Sequence, residues 1–351
     1  MKASFHPYQL QFKKPSGTSR GILTHKKIWL IKLWKEENPS VFGIGECNPL
    51  VGLSIDDRDD FEEHLQKITN NINDYIDSSL QISHSKFLQF PSIRFAIETA
   101  LQDLKNGGRK ILFENDFSMK EKGIVINGLI WMSSPQEMVK QIEEKIKNGF
   151  HCLKLKIGAL DFNSELKIIK EIRTSFSADD LEIRVDANGA FSAEEALFKL
   201  DELSKFYVHS IEQPIQQGQV KKMAELCKKT PLAIALDEEL ISHQNLSDKQ
   251  NLLDEILPQY IILKPSLLGG WKASEEWIDI ARKNKIGWWV TSALESNIGL
   301  NAIAQWTANF DLKIPQGLGT GQLYTNNFHS PLHIEGKKLY YKKTEGWSIS
   351  I

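Results

Sequence analysis

The sequence predicts an α/β protein, a parallel β/α barrel joined to a smaller α+β domain. Three observations predict it. The chain has 351 residues, long for one core but suited to a barrel plus a second unit. From Gly123 onward, strand-like and helix-like segments alternate. Five consecutive predicted strands end in ionisable residues, and the C-terminal rim of a barrel is where active sites sit. An open doubly wound sheet is the alternative. No G-x-G-x-x-G follows the first barrel strand, which weakens its nucleotide-binding form.

Residues 1–120 read as the α+β domain. Segments 28–35 and 41–46 look like strands, followed by a Gly- and Pro-containing turn over 43–50. Helical patterns cover 55–76 and 91–105. Residues 121–321 read as the barrel, with strands at 124–131, 152–157, 181–187, 209–213, 232–237, 260–264 and 287–292. The intervening helices have recognisable starts. Ser134-Pro-Gln-Glu137 and Ser192-Ala-Glu-Glu195 are capping boxes, the first with Pro135 at the opening helical position. Residues 322–351 are irregular and strand-like, and we expect them to return to the N-terminal domain.

Composition excludes several functions. Forty-three Lys and Arg against 45 Asp and Glu give a net charge of -2, with both signs mixed, so neither nucleic acid nor an anionic membrane is an expected partner. The longest apolar run near the start, 28–34, is broken by Lys32 and is too short to span a bilayer. Three scattered cysteines without metal spacing fit a reducing compartment. These features predict a cytoplasmic protein acting on a small molecule, and they permit a homo-oligomer.

The chemistry lies at the strand ends. In Cys152-Leu-Lys-Leu-Lys-Ile157, alternation puts Lys154 and Lys156 on one face and Leu153, Leu155 and Ile157 on the other. The apolar face meets the helices, so the lysines point into the barrel. The same rule turns Asp186 inward. Glu212, Asp237 and Lys264 end the next three strands. Three carboxylates converging on one mouth repel unless a cation holds them, and an oxygen-only set suits Mg²⁺. Read singly, a K-x-K is more often a solvated edge, and an acidic residue after a strand is more often a cap. The ordered set of five outweighs those separate readings. Asn188 and Glu238 are weaker members that fit a turn or an orienting role.

Taken together, Lys154-Leu-Lys156, Asp186-Ala-Asn188, Glu212-Gln-Pro, Asp237-Glu and Lys264-Pro resemble the enolase superfamily, in its muconate lactonizing enzyme-like subgroup. Segments 291–300 and 317–321 look most similar to its o-succinylbenzoate synthase family. The resemblance implies a modified TIM-type (β/α)7β barrel with an N-terminal capping domain. It implies Mg²⁺ on Asp186, Glu212 and Asp237, Lys156 as acid and base, and Lys264 as an electrostatic partner. It also implies that Lys154 steers the substrate carboxylate and lowers the proton affinity of Lys156. Arg20 and Ser292 are expected to touch substrate. The implied reaction is dehydration through an enediolate. Dipeptide epimerisation or N-acylamino acid racemisation are the near alternatives, and a non-catalytic barrel binding protein is a distant one, disfavoured by the intact constellation.

Overall fold

The computed structural model describes residues 1–18, 21–77 and 79–349. The chain opens as an antiparallel sheet of β1 (Lys2–Thr18), β2 (Gly21–Lys35) and β3 (Asn38–Cys47), in that order. The sequence reading lacked β1. Most of its side chains face solvent, so its apolar alternation is faint. Successive residues of β2 serve two layers. Trp29, Ile31 and Leu33 pack under α1 (Phe61–Asn70) and α2 (Pro91–Lys105). Ile28 and Leu30 face the other way, toward Ile298, Tyr324 and Phe328.

Two expectations are corrected here. The helix expected over 55–76 starts only at Phe61. Before it, buried Asp56 accepts hydrogen bonds from the Ser92 N–H and hydroxyl, tying the turn to the start of α2. Gly43 and Gly45, which fall in both the strand expected over 41–46 and the turn expected over 43–50, lie inside β3. A Cβ on either would stand 1.8 Å from the carbonyl oxygen of Ala100 or Ala96, so the absent side chains let α2 lie directly on the sheet. The short α3 (Asp116–Lys120), capped by Asn115, leads to the barrel.

The strand expected over 124–131 is two. β4 (Ile124–Val125) joins a small sheet elsewhere, and β5 (Gly128–Ile130) starts the parallel array. Then follow α4 (Pro135–Lys147), β6 (Cys152–Lys156), α5 (Phe162–Ser175), β7 (Glu182–Asp186), α6 (Ala193–Ser204), β8 (Ser210–Glu212), α7 (Val220–Lys229) and β9 (Ala233–Leu236). The series ends with α8 (Leu246–Ile256), β10 (Tyr260–Leu263), α9 (Pro265–Leu268), α10 (Gly270–Lys283), β11 (Gly287–Val290) and α11 (Asn297–Thr307). Ser134 and Ser192 cap α4 and α6 by accepting from the Glu137 and Glu195 N–H groups, the serine half of each expected capping box.

The seven strands from β5 to β11 are hydrogen-bonded in chain order. An eighth, very short segment closes the curl. Gly317 bridges Thr291 after β11, and Gln316 bridges Ile126 before β5, both in parallel sense. This is the modified (β/α)7β arrangement. Leu153, Leu155, Ile183 and Val185 face the helices. Inside, Ala235, Ile262 and Trp289 fill the barrel, with the Arg184 guanidinium 4.3 Å from the centre of the Trp289 ring. Past the barrel, Lys13 N–H donates to Leu323 O and Thr325 N–H to Gln11 O, so this stretch runs along β1. The final hairpin, β12 (Leu332–Glu335) and β13 (Lys338–Tyr341), pairs with β4.

Candidate active site

Parallel register brings the charged strand ends level: Lys156 pairs with Asp186, and Asp186 with Glu212. One oxygen from each of Asp186, Glu212 and Asp237 lies within 4.8 Å of the others, and all three residues are buried. Lys154 Nζ sits 2.8 Å from Asp186 Oδ2 and also donates to Glu212 Oε2. Lys156 Nζ donates to Asp186 Oδ2 at 2.6 Å and to Asn188 Oδ1 at 2.8 Å. Lys264 Nζ donates to Asp237 Oδ2. Asn188 also donates to Glu238 Oε1 at 2.9 Å, so it links the Lys156 side of the mouth to the β9 side. β6 and β10 are four steps apart in a closed ring of eight, so Lys156 and Lys264 stand on opposite walls.

Electrostatics divides these groups. Burial, then the neighbouring Lys154 and Lys264 charges, pulls Lys156 below the ordinary lysine value. Burial also opposes the Lys264 ammonium, but Asp237 and Glu238 overcome it and hold its pKa up. Lys154 is likewise held charged against burial by Asp186, Glu212 and Asp237. Burial raises the Glu212 and Asp237 carboxyls, and nearby carboxylates add to the effect. Asp186 is the exception: the three lysines outweigh burial and hold it well below the usual range.

The donor set fits a hard divalent cation. It is all oxygen, with no His or Cys in the cluster. Among the described residues, buried Glu212 Oε1 has no hydrogen-bond partner, which leaves an acceptor open to a cation.

A cavity of about 500 Å³ opens above these groups. Lys154, Lys156, Asn188 and Lys264 form part of its wall, with Asn127, Leu129 and Trp131 from the start of the barrel. Lys26, Trp29, Leu50 and Leu53 reach it from the N-terminal part of the chain. Sequence reasoning missed Lys26 and Asn127. A signal for Lys26 existed: it shares strand parity with buried Ile28 and Leu30.

Ser292 lines the cavity, but its hydroxyl is committed. It donates to Glu295 Oε2 at 2.5 Å and accepts from Thr320 Oγ1 at 2.6 Å and from the Leu294 N–H at 3.1 Å. In this structure the Ser292 hydroxyl therefore has protein partners for its donor and both acceptor positions. Arg20, the other expected substrate contact, lies outside the described residues.

Comparison with known proteins agrees with this geometry. Residues 137–351 match the family model described as enolase C-terminal domain-like. An o-succinylbenzoate synthase of Desulfotalea psychrophila is 47% identical, over 97% of this chain and 98% of that one. The crystal structure of MenC from Desulfotalea psychrophila superimposes with a TM-score of 0.84 at 43% identity, covering 97% and 99% of the two chains. An L-amino acid-D/L-Glu epimerase of Francisella philomiragia is 25% identical, over 70% of this chain and 68% of its own.

Proposed function

The chain belongs to the enolase superfamily and, within it, to the o-succinylbenzoate synthase family, and from that premise we propose that it dehydrates 2-succinyl-6-hydroxy-2,4-cyclohexadiene-1-carboxylate to o-succinylbenzoate. The observation that carries this reading is the pair of buried lysines on opposite walls above three clustered carboxylates. We assign residues 121–321 as the catalytic barrel, and residues 1–120 with 322–351 as its cap.

Asp186, Glu212 and Asp237 would hold Mg²⁺, with Glu212 Oε1 available to it. The ion, when bound, supplies positive charge against the substrate carboxylate. Lys156, whose pKa the site lowers while raising those of Lys154 and Lys264, takes the α-proton. Asn188 orients that amine. Lys264 stays an ammonium and stabilises the enediolate electrostatically from the other wall. Lys156, now protonated, returns its proton to the departing β-hydroxyl on the same face. The C–O bond breaks, water leaves and the ring becomes aromatic. Lys154 bridges two carboxylates and helps keep the Lys156 proton affinity low.

The rim at Gly317-Leu-Gly-Thr-Gly321 has no side-chain carboxylate to pair a dipeptide ammonium, whose burial unpaired is costly. This favours the diene substrate. The three cysteines are buried and free. Among the described residues, no helix is long and apolar enough to cross a membrane. Both fit a cytoplasmic location. Ultraviolet measurement of dehydration with and without Mg²⁺ tests the function. We expect turnover that is lost in chelator. Dipeptide epimerisation about tenfold more efficient than dehydration, a gap of about 1.4 kcal/mol, would overturn the substrate assignment.

A further inference from the structure

Lys26 lies on β2 and its side chain is buried in the cavity wall. Four other lysines line the same cavity, and each has a carboxylate within 4 Å: Lys27 with Glu62, Lys154 and Lys156 with Asp186, and Lys264 with Asp237. Among the described residues, Lys26 has no such partner. Its Nζ makes one hydrogen bond, 2.6 Å to the carbonyl oxygen of Ala293 just beyond β11. An ammonium has three donors, and a buried charge with one neutral acceptor is under-compensated.

The nearby carboxylates offset the charge only at a distance and leave the remaining Nζ donors unfilled. Glu46 accepts from the Ser296 N–H and hydroxyl and from the Gly299 N–H. Glu295 accepts from the Ser266 and Ser292 hydroxyls and from the Ala293 N–H. Both are spent on the protein, within electrostatic range of Lys26 but not bonded to it. Ala293 follows β11, the strand beside β10, so its bond to Lys26 puts Lys26 on the Lys264 side of the mouth.

We propose that Lys26 is a specificity-determining residue, its ammonium binding the second carboxylate of a dicarboxylate substrate, the one remote from the reacting ring. The inference rests on the dehydration reading, in which the succinyl chain carries that second carboxylate. A ring held between Lys156 and Lys264 would then extend its side arm under the cap. Burial pulls the Lys26 pKa down to about 8, so the ammonium form is retained at neutral pH. The same burial strengthens its attraction for an arriving anion.

The test compares wild type, Lys26→Met and Lys26→Arg, each with Mg²⁺ present. Melting temperatures first establish that the variants fold. Dehydration is then followed for KM and kcat. Binding of o-succinylbenzoate is compared with that of 2-butyrylbenzoate, which lacks the remote carboxylate. For Lys26→Met we expect KM to rise about 20-fold, the scale of one lost charge-assisted hydrogen bond, with kcat changed about threefold or less. The wild-type preference for o-succinylbenzoate over 2-butyrylbenzoate should collapse in Lys26→Met and partly return in Lys26→Arg. An unchanged KM together with an intact preference in folded Lys26→Met overturns the inference. Wild type that fails to dehydrate the diene overturns the functional reading instead, so the two failures are distinct.

Discussion

Lys154 and Lys156 lie two residues apart on one strand, yet their surroundings push them in opposite directions. Lys154 is clasped by two carboxylates, whereas Lys156 has one and an amide. The contrast supports the proposal that Lys156 is the base. We expect Lys156→Ala to lose roughly 10³-fold in turnover, together with solvent exchange of the α-proton. Near-normal turnover would remove Lys156 from that role. Strand parity and the barrel-rim rule were enough to place these lysines and the three carboxylates from sequence. They say nothing of Ser292, which came from the resemblance alone and whose hydroxyl bonds Thr320 and Glu295 here. Contacts between distant loops leave no periodic trace. Asp56 is another residue hidden from the sequence. Burial, only partly offset by its Ser92 hydrogen bonds, raises its pKa from 3.8 to about 6. Between those values the folded chain binds a proton that the unfolded chain has lost. This contribution is complete below the unfolded value and fades as pH rises through the folded one. Each unit is worth about 1.4 kcal/mol. Unfolding titrations from about pH 4 to 6 should show Asp56→Asn gaining stability relative to wild type as pH rises. Parallel curves would refute the assignment.

Elements were legible where apolar spacing and end signals mark them, even when nearly every face is covered, as in α2. α2 fell where its apolar pattern placed it, at 91–105. β1 escaped because most of its side chains meet solvent. The two β3 glycines read both as strand and as turn until the overlying helix is known. That close approach is testable. Gly45→Ala forces a methyl group into the Ala96 carbonyl and should destabilise by about 1–3 kcal/mol, lowering the melting temperature by several degrees. Gly346→Ala, with nothing among the described residues within 4 Å of the added carbon, should leave it unchanged. Equal melting temperatures for the two variants would mean that α2 can move away from the sheet.

At the scale of the whole molecule, the barrel is closed by two residues, Gln316 and Gly317, too short a segment to register as a strand in sequence. Closure is what makes β6 and β10 opposite walls and the three carboxylates a cluster. It also sets a problem of charge, because like charges crowded in a buried mouth oppose folding. Lys154, Lys156 and Lys264 answer it by pairing with Asp186, Glu212 and Asp237. The fold should therefore persist without metal. Chelator-treated protein should keep its circular dichroism while losing activity. Added Mg²⁺ should raise the melting temperature with concentration, approaching about 2.7 kcal/mol of stabilisation at 100 times its dissociation constant. Asp186→Asn removes the carboxylate that the lysines hold most firmly ionised, and should abolish that rise while remaining folded. Thermal unfolding across a Mg²⁺ series decides it. An undiminished shift in Asp186→Asn would place the cation elsewhere, and collapse of wild type in chelator would mean that the lysines do not neutralise the site.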